Sequence, residues 1–473
     1  MKFLISVFFN APQGGLHENV RFTAQRLLAE GHSVSLICKS GPFADQMAEM
    51  GVGVFNTDFA ITDFKRVFEQ VKIAHQQVPF DIIHAHPFLS RQLAVVIGQC
   101  LAVPVIETMH GQYLDQLPNT IAQLDAVVCV SEGIKQYLFT EQSGLPAEKF
   151  FVVPNVPDVT QFKYIATPPS TDHKNKVVIA LVSRLDRDKQ FILDLFLKAV
   201  DYTAQTYAGK IHWQIIGQGT EAETFLAQLA DLQGENTVEF SGWLQGKDLQ
   251  KAYCGSHAVI APGRCAIEAL SCAIPAIALG SKGYIGLVDE QRWQAALYSN
   301  FGGVGQREQG YQAGSIEADI DRLMQSAKYR RQLGRFGRQL VRSFLSAKQA
   351  HQTMKQIYRT VVQARKMTPL KPVAEQEFLA LQCTKTNFLC TDDKRLTVSL
   401  EGDFPESTQF AWYLHKQDRG VIEKQFYTSQ PHTNFSPSEP GDYRVQCYLK
   451  NSIEKISFFT ESISVSASQL KKQ

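Results

Sequence analysis

Val177-Val178-Ile179-Ala180-Leu181-Val182-Ser183-Arg184-Leu185-Asp186-Arg187-Asp188-Lys189 decides the fold. Six apolar residues, four of them β-branched, read as a buried strand. The strand gives way to a charged loop, and Phe191–Tyr202 then follows a helical pattern. The same unit repeats downstream. Ile211–Ile216 is a strand ending at Gly217, Ala222–Leu232 is helical, and Ala258–Ala261 and Ile274–Leu279 are further strands with a helix between them. Strand–helix alternation of this kind builds a parallel, doubly wound sheet.

Toward the N-terminus the same texture has already occurred once. Phe3–Phe9, Val34–Cys38, Asp81–Ile83, Val103–Ile106 and Ala126–Val130 read as buried strands. Val20, Ala24, Leu27 and Leu28 share one helical face, and Gly31 supplies the stop. Met1–Phe9 carries one basic residue and reaches Asn10-Ala11-Pro12 too soon for a signal peptide, so it reads as a strand. The polar, proline-containing stretch Pro154–Lys176 separates the two runs. The expected architecture is α/β, with two Rossmann-like domains in tandem and a ligand cleft between them.

Toward the C-terminus, Ala347, Ala350, Met354, Ile357, Tyr358 and Val361 form an apolar stripe at helical spacing. Met367-Thr368-Pro369-Leu370-Lys371-Pro372 reads as the start of a linker. From about Phe388 the apolar period changes to two. Leu396–Leu400, Phe410–His415, Val421–Tyr427, Tyr443–Leu449 and Ile456–Val465 predict a small all-β sandwich, with Trp412 in its core and a tyrosine corner at Tyr443. The expected boundaries are 1–157 and 158–366 for the two Rossmann-like domains, 367–385 for a linker and 386–473 for an Ig-like sandwich.

Composition narrows the function classes. A chain of 473 residues that is 44% hydrophobic and 20% charged is globular and multi-domain, not disordered. No apolar run approaches the ~18–20 residues of a membrane span. Nine scattered cysteines in apolar stretches fit reduced thiols in a cytoplasmic setting. No CxxC or HExxH pair suggests a metal. The net charge of +2 hides an asymmetry: from Arg322 to Ala374 there are thirteen Lys and Arg residues and no Asp or Glu. A basic segment on an acidic body points to an anionic partner: a membrane surface such as the inner membrane face, a polyanion or a phosphorylated substrate. Nucleic acid is disfavoured, because no aromatic platform is interleaved with the basic run.

Candidate chemistry lies where strands end. Gly14 and Gly15 follow the first strand and open a helix, where backbone approaches a ligand and a helix N-terminus favours anions; the alternative is a tight βα turn. Arg184 and Lys189 follow the strand quoted above, as neutralisers of a diphosphate or as solvated partners of Asp186 and Asp188. Ile215-Ile216-Gly217-Gln218-Gly219 is a GxG turn. In Pro262-Gly263-Arg264-Cys265-Ala266-Ile267-Glu268, a strand ends, a helix begins, and Glu268 falls in the first turns. His84, His86 and His110 stand at strand ends of the first domain.

In this order the pieces resemble a GT-B fold glycosyltransferase of the retaining family 4 type. The resemblance spans residues 1 to about 365. It rests on Gly14-Gly15, Ile83-His84-Ala85-His86, Thr108-Met109-His110-Gly111, Val130-Ser131-Glu132-Gly133-Ile134-Lys135, Val153-Pro154-Asn155, Ser183-Arg184-Leu185 with Lys189, Gly217-Gln218-Gly219, and Ile267-Glu268-Ala269-Leu270 before Ile274-Pro275-Ala276-Ile277. It implies that Arg184 and Lys189 bind the diphosphate of a UDP- or GDP-linked sugar and that Glu268 accepts the ribose hydroxyls. The amides of Arg264 and Cys265 would add phosphate contacts. Gly14, Gly15, Gly217 and Gly263 would line the donor site, and His110 would sit by the donor sugar. It implies no metal or other cofactor, because cations and a helix dipole stabilise the leaving group.

One departure is visible. The family's second glutamate, eight positions before the ribose glutamate, is Ile260 here. Either Arg264 or the Gly283-Tyr284-Ile285-Gly286 turn takes its place. The histidine–aspartate pair frequent in the family is also absent, since Gly111 follows His110. The function expected is a hexosyltransferase-type, metal-independent transfer to a glycan or lipid-linked acceptor in bacterial surface-polysaccharide synthesis. The rivals are a catalytically weak glycan-binding subunit and a nucleotide-sugar epimerase. A nicotinamide dehydrogenase is least favoured, because no GxGxxG follows either first strand.

Overall fold

The computed structural model describes residues 1–9, 14–165, 175–302, 311–391 and 395–466. Its first sheet has seven strands: β1 (Lys2–Ser6), β2 (Ser33–Cys38), β3 (Gly53–Asn56), β4 (Ile82–Ala85), β5 (Val105–Met109), β6 (Ala126–Cys129) and β7 (Phe150–Val152). They pair in the order β3-β2-β1-β4-β5-β6-β7, all parallel. The central strands are apolar on both faces because helices cover both sides, and β4, β5 and β6 are buried throughout. The short outer strands β3 and β7 lack that continuous run and escape a sequence reading.

The second sheet holds β8 (Val177–Val182), β9 (Ile211–Ile216), β10 (Thr237–Gly242), β11 (Ala258–Ala261), β12 (Ala276–Leu279) and β13 (Tyr284–Leu287). Its order is β10-β9-β8-β11-β12-β13, parallel except for β13. In both sheets the order reverses beside the first strand, which opens a crevice at the carboxyl ends. The fold class is therefore that of a GT-B architecture followed by a β domain.

The helix Ala347–Met367 belongs to the second half of the chain but lies on the first sheet. Tyr358 is buried, its ring packs edge-on against Phe3 at 5.0 Å, and its hydroxyl lies 2.8 Å from His84 Nδ1. Lys355 and His351 pair with Glu30, and Arg365 pairs with Asp125. Part of the basic run is thus spent on the acidic body. Arg322 is likewise held by Asp289 and Asp319, and Arg330 donates to the Leu323 carbonyl. Arg331, Arg335 and Arg342 stay exposed.

The β domain comprises β14 (Cys383–Cys390), β15 (Leu396–Gly402), β16 (Gln409–Lys416), β17 (Gly420–Thr428), β18 (His432–Phe435), β19 (Gly441–Lys450), β20 (Lys455–Phe459) and β21 (Ile463–Val465). One sheet runs β14-β15-β18 and the other β17-β16-β19-β20, with β21 beside β19. Trp412 is fully buried, and the Tyr443 hydroxyl donates to the Glu439 carbonyl, so the core tryptophan and the tyrosine corner are both present.

The expected linker needs correction. Phe378, Leu379, Ala380 and Leu381 are almost wholly buried and join the core that runs from the first Rossmann-like domain into the sandwich. Lys72 pairs with Glu375, and the Val373 amide donates to the Gln99 carbonyl. The apolar Phe378–Leu381 run needs burial, and it is long enough only to staple the sandwich down.

Candidate active site

Both crevices face each other across the domain junction, and the contacts between them are specific. A Cβ added at Gly14 would lie 3.9 Å from Arg184 Cδ, and one added at Gly15 would lie 3.9 Å from Arg264 Cβ. The start of the helix Gly15–Ala29 thus comes close to Arg184 and Arg264 of the second domain. Asn155 bridges the junction, accepting from Asn19 at 3.1 Å and donating to Asn300 at 3.3 Å. Pro12 and Gln13 lie outside the described residues.

Arg184 and Lys189 sit where β8 ends, half-buried. Arg184 pairs with Asp186 and with Asp188 at 2.8 Å; Lys189 pairs with Asp188 at 2.9 Å and donates to Ser281 at 2.7 Å. Both cations are thus held in place by neighbouring carboxylates. Gly217 and Gly219 explain this loop's course. A Cβ at Gly217 would fall 1.8 Å from the Ser183 carbonyl oxygen, and one at Gly219 2.2 Å from Leu185 C. Gly217 is itself buried and packs beneath the Arg184 loop.

The helix Gly263–Ser271 presents Arg264 and Glu268. Glu268 is buried, accepting from Arg264 Nε at 2.8 Å and from the Tyr253 hydroxyl at 3.3 Å. Burial pushes its carboxyl up against the pull of Arg264. Of the amides expected on phosphate, that of Cys265 is donated to the Pro262 carbonyl at 3.1 Å, and Gly263's goes to Phe301. The Arg264 amide lies in the first turn, where helix geometry provides no intrahelical acceptor. Ile260 lies buried in β11. The Gly283–Gly286 turn is no substitute for the missing glutamate: Tyr284 turns into the core and donates to Asp319 at 2.8 Å.

His110 lies on the opposite wall with Nε2 2.9 Å from His86 Nδ1. The His86 ring stacks between His110 and His84, with centroids 5.1 and 4.9 Å apart. His84 Nε2 meets the Thr108 hydroxyl at 2.7 Å, and its other nitrogen meets Tyr358. Burial pushes His110 down to about 4 and His84 to about 3, and holds His86 well below the usual imidazole range. This row is neutral near pH 7 and offers hydrogen bonds, not charge. His84, Thr108, Tyr358 and Arg264 line a single cavity of about 70 Å³ beneath the junction, which ties the histidines to the Arg264–Glu268 pair.

Sequence reasoning missed the support behind His110. Arg91, 1% exposed, bonds the fully buried Glu107 at 3.1 Å and Asp115 at 3.0 Å. Asp115 in turn accepts from the Phe88 amide. Phe88, Asp115 and Gln116 have φ of 71°, 40° and 59°, a conformation bulky residues adopt only when held there. The network pins the two loops that carry His86 and His110. A signal was available: Glu107 interrupts the strand Val105-Ile106-Glu107-Thr108-Met109, and a carboxylate at a core position needs a cationic partner.

Residues 13–161 match the Glycosyltransferase Family 4 model and residues 166–340 match Glycosyl transferases group 1. The chain is a GT-B glycosyltransferase of the family 4 type. The transferase is 24% identical over 225 residues to a component of the phosphatidylinositol N-acetylglucosaminyltransferase of Arabidopsis thaliana, covering 43% of this chain and 49% of that one. It is 22% identical over 297 residues to the GPI3 component of the corresponding Saccharomyces cerevisiae enzyme, covering 56% and 64%. The chain thus spans about half to two thirds of the length of the curated relatives it matches. Its fold matches a glycosyltransferase from Rickettsia africae at TM-score 0.61 and 17% identity, over 76% of this chain and 98% of that one. Anabaena HepE, solved with UDP-glucose, matches at 0.55 and 17% identity over 77% and 100%. Among the described residues no helix of the transferase is long and apolar enough to cross a membrane.

Proposed function

We propose that the transferase moves a hexosyl group from a UDP- or GDP-linked sugar to a glycan or lipid-linked acceptor with retention of configuration. The observation that carries this reading is the meeting of Gly14 with Arg184 at the crevice, where Lys189 stands on the same loop. A diphosphate entering there exchanges Asp186 and Asp188 for its own oxygens, and the Arg264 amide adds a helix N-terminus. Arg184 and Lys189 then hold the charge that grows as the sugar C1–oxygen bond breaks. The acceptor oxygen bonds C1 from the leaving-group face, and its proton passes to the departing phosphate. Neutral His110 hydrogen-bonds the donor sugar. Glu268 accepts the ribose hydroxyls once it is shared between Arg264 and the donor. HepE's UDP-glucose supports a uridine donor by analogy of fold.

Arg331, Arg335 and Arg342 support peripheral contact with anionic lipid, since each is exposed and without an ion-pair partner among the described residues. Arg330 and Arg338 are half-buried and are not part of that face. Bacterial surface-polysaccharide synthesis at the inner membrane is the setting this fits.

A second reading, a glycan-binding subunit with little turnover, is favoured by Ile260 in the core of β11, where no carboxylate reaches the donor sugar. Turnover across a panel of UDP- and GDP-sugars separates the two. Nucleotide release that requires an acceptor supports transfer. Donor binding without release supports the binding role.

A further inference from the structure

The pairing in the β domain fixes which side chains face outward. On β16 the buried Phe410, Trp412 and Leu414 point in, so Tyr413 points out; on β19 Val445, Cys447 and Leu449 point in, so Arg444, Tyr448 and Lys450 point out. Tyr413 and Tyr448 pack against each other, tilted, with centroids 4.7 Å apart. Tyr427 of β17 joins them through Lys450, whose ammonium sits 3.8 Å from the Tyr427 ring centre. Lys424 lies 5.0 Å from Tyr413, and Arg444 4.1 Å from Phe459. Tyr413, Tyr427 and Phe459 therefore each have a cation beside them. Asp442 is the one carboxylate at an outward position of β19.

We propose that this face is a binding track for an anionic glycan, with the rings meeting the apolar faces of sugars and the cations meeting their acidic groups. Two observations give the track a direction. Tyr448 is paired in register with Ser457 of β20, so Ser457 shares the outward face. The Ser457 hydroxyl accepts from Gln116 Nε2 at 3.2 Å, and Gln116 belongs to the loop that Arg91 and Asp115 pin beside His110. The face thus runs from the edge strand β17, over three strand spacings of roughly 14 Å in all, to the acceptor side of the crevice. The edge strand leaves Phe426 72% exposed. Phe378–Leu381 staple the sandwich rigidly to the first domain, so a chain bound on the tyrosines is presented at a fixed distance from the site. That the glycan is the acceptor rests on the transferase reading; that the face binds an anionic glycan does not.

The test is affinity electrophoresis of the full chain through gels holding alginate, hyaluronan, dextran sulfate or neutral dextran. Isothermal titration with UDP and GDP accompanies it. Retardation by the acidic polymers and not by dextran is expected. Tyr413→Ala with Tyr448→Ala should weaken it about tenfold, and Lys450→Gln with Arg444→Gln, which keeps the rings, should weaken it too. Nucleotide affinity should not move in either variant. A wild type that binds neither UDP nor GDP would bring down the transferase reading and leave the track standing. The track is overturned by equal retardation in wild type and both variants, or by no retardation in any polymer. It is also overturned if binding is lost only when Arg331, Arg335 and Arg342 become glutamine. A wild-type dimer that the tyrosine variant converts to monomer would assign the face to a second copy instead.

Discussion

The two sheets have the same reversal at their first strand, yet their carboxyl edges solve opposite problems. At the edge of the first sheet, charge is removed: burial keeps His84, His86 and His110 neutral, and the charges that are present, Arg91 with Glu107 and Asp115, are sunk behind them. At the edge of the second sheet, charge is displayed: Arg184 and Lys189 stand half-exposed on a loop with Asp186 and Asp188. The fold supplies only the crevice. Burial decides which wall displays charge and which makes neutral hydrogen bonds.

The buried wall should respond to mutation through stability. Arg91→Met leaves Glu107 and Asp115 without their partner, and a loss of about 3–5 kcal/mol is expected in urea unfolding. Adding Glu107→Gln should restore much of it, because the uncompensated charge is then gone. If Arg91→Met costs under about 1 kcal/mol, the network behaves as a surface pair and the contrast between the walls breaks.

The displayed wall should respond through rate. Arg184→Ala and Lys189→Ala should each lower kcat at least about 10²-fold, on the order of 3 kcal/mol, with little change in unfolding. Kinetics at saturating donor check this, and near-wild-type transfer in both variants removes the loop from catalysis. Glu268 lies between the two regimes. Glu268→Gln keeps the side chain's shape but weakens a charged hydrogen bond, so the donor KM should rise by about 1.5–3 kcal/mol while kcat changes less. A 2′,3′-dideoxyribose donor should lose affinity in wild type and little more in the variant.

The smallest effect expected is on pH. His84 and His110 bind protons more weakly folded than unfolded, so their contribution to stability is complete above about 6.5. It fades as pH falls toward the value of about 4 held by His110. Thermal melts between pH 7.5 and 4.5 should show Tm falling through that window, less steeply in His110→Gln. A Tm that rises on acidification would place a charged imidazole on the wall described here as neutral.

Much of this is legible in the sequence where one face of an element is buried. The quoted Val177–Val182 run, the Ala222–Leu232 helix and four of the five expected sandwich strands follow from periodicity, the fifth, Ile456–Val465, being split into β20 and β21, and Trp412 and Tyr443 stand where their patterns place them. Short edge strands such as β3, β7 and β18 are not legible, because three or four residues without full burial carry no period. The staple at Phe378–Leu381 is hidden by the prolines before it, which look like a linker although the apolar run beyond is core. In the site, position alone finds the residues in loops after strands, but not what holds them. That Arg184 is steadied by Asp188, that Glu268 is paired with Arg264, and that Tyr358 returns from 274 residues away to His84 are consequences of tertiary closure. Gly217 likewise stands at a close backbone crossing, against the Ser183 carbonyl, that the GxG pattern alone does not show.

The central claim is that the crevice at Arg184 and Lys189 takes a nucleotide diphosphate. Isothermal titration of UDP, GDP, uridine and guanosine into the wild type and into Arg184→Gln with Lys189→Gln tests it directly. The account predicts that one of the two diphosphates binds the wild type and its nucleoside binds far more weakly. It also predicts that the double variant loses at least about tenfold for the diphosphate, or about 1.4 kcal/mol, and nothing for the nucleoside. Equal affinity of the double variant and the wild type for that diphosphate would contradict it.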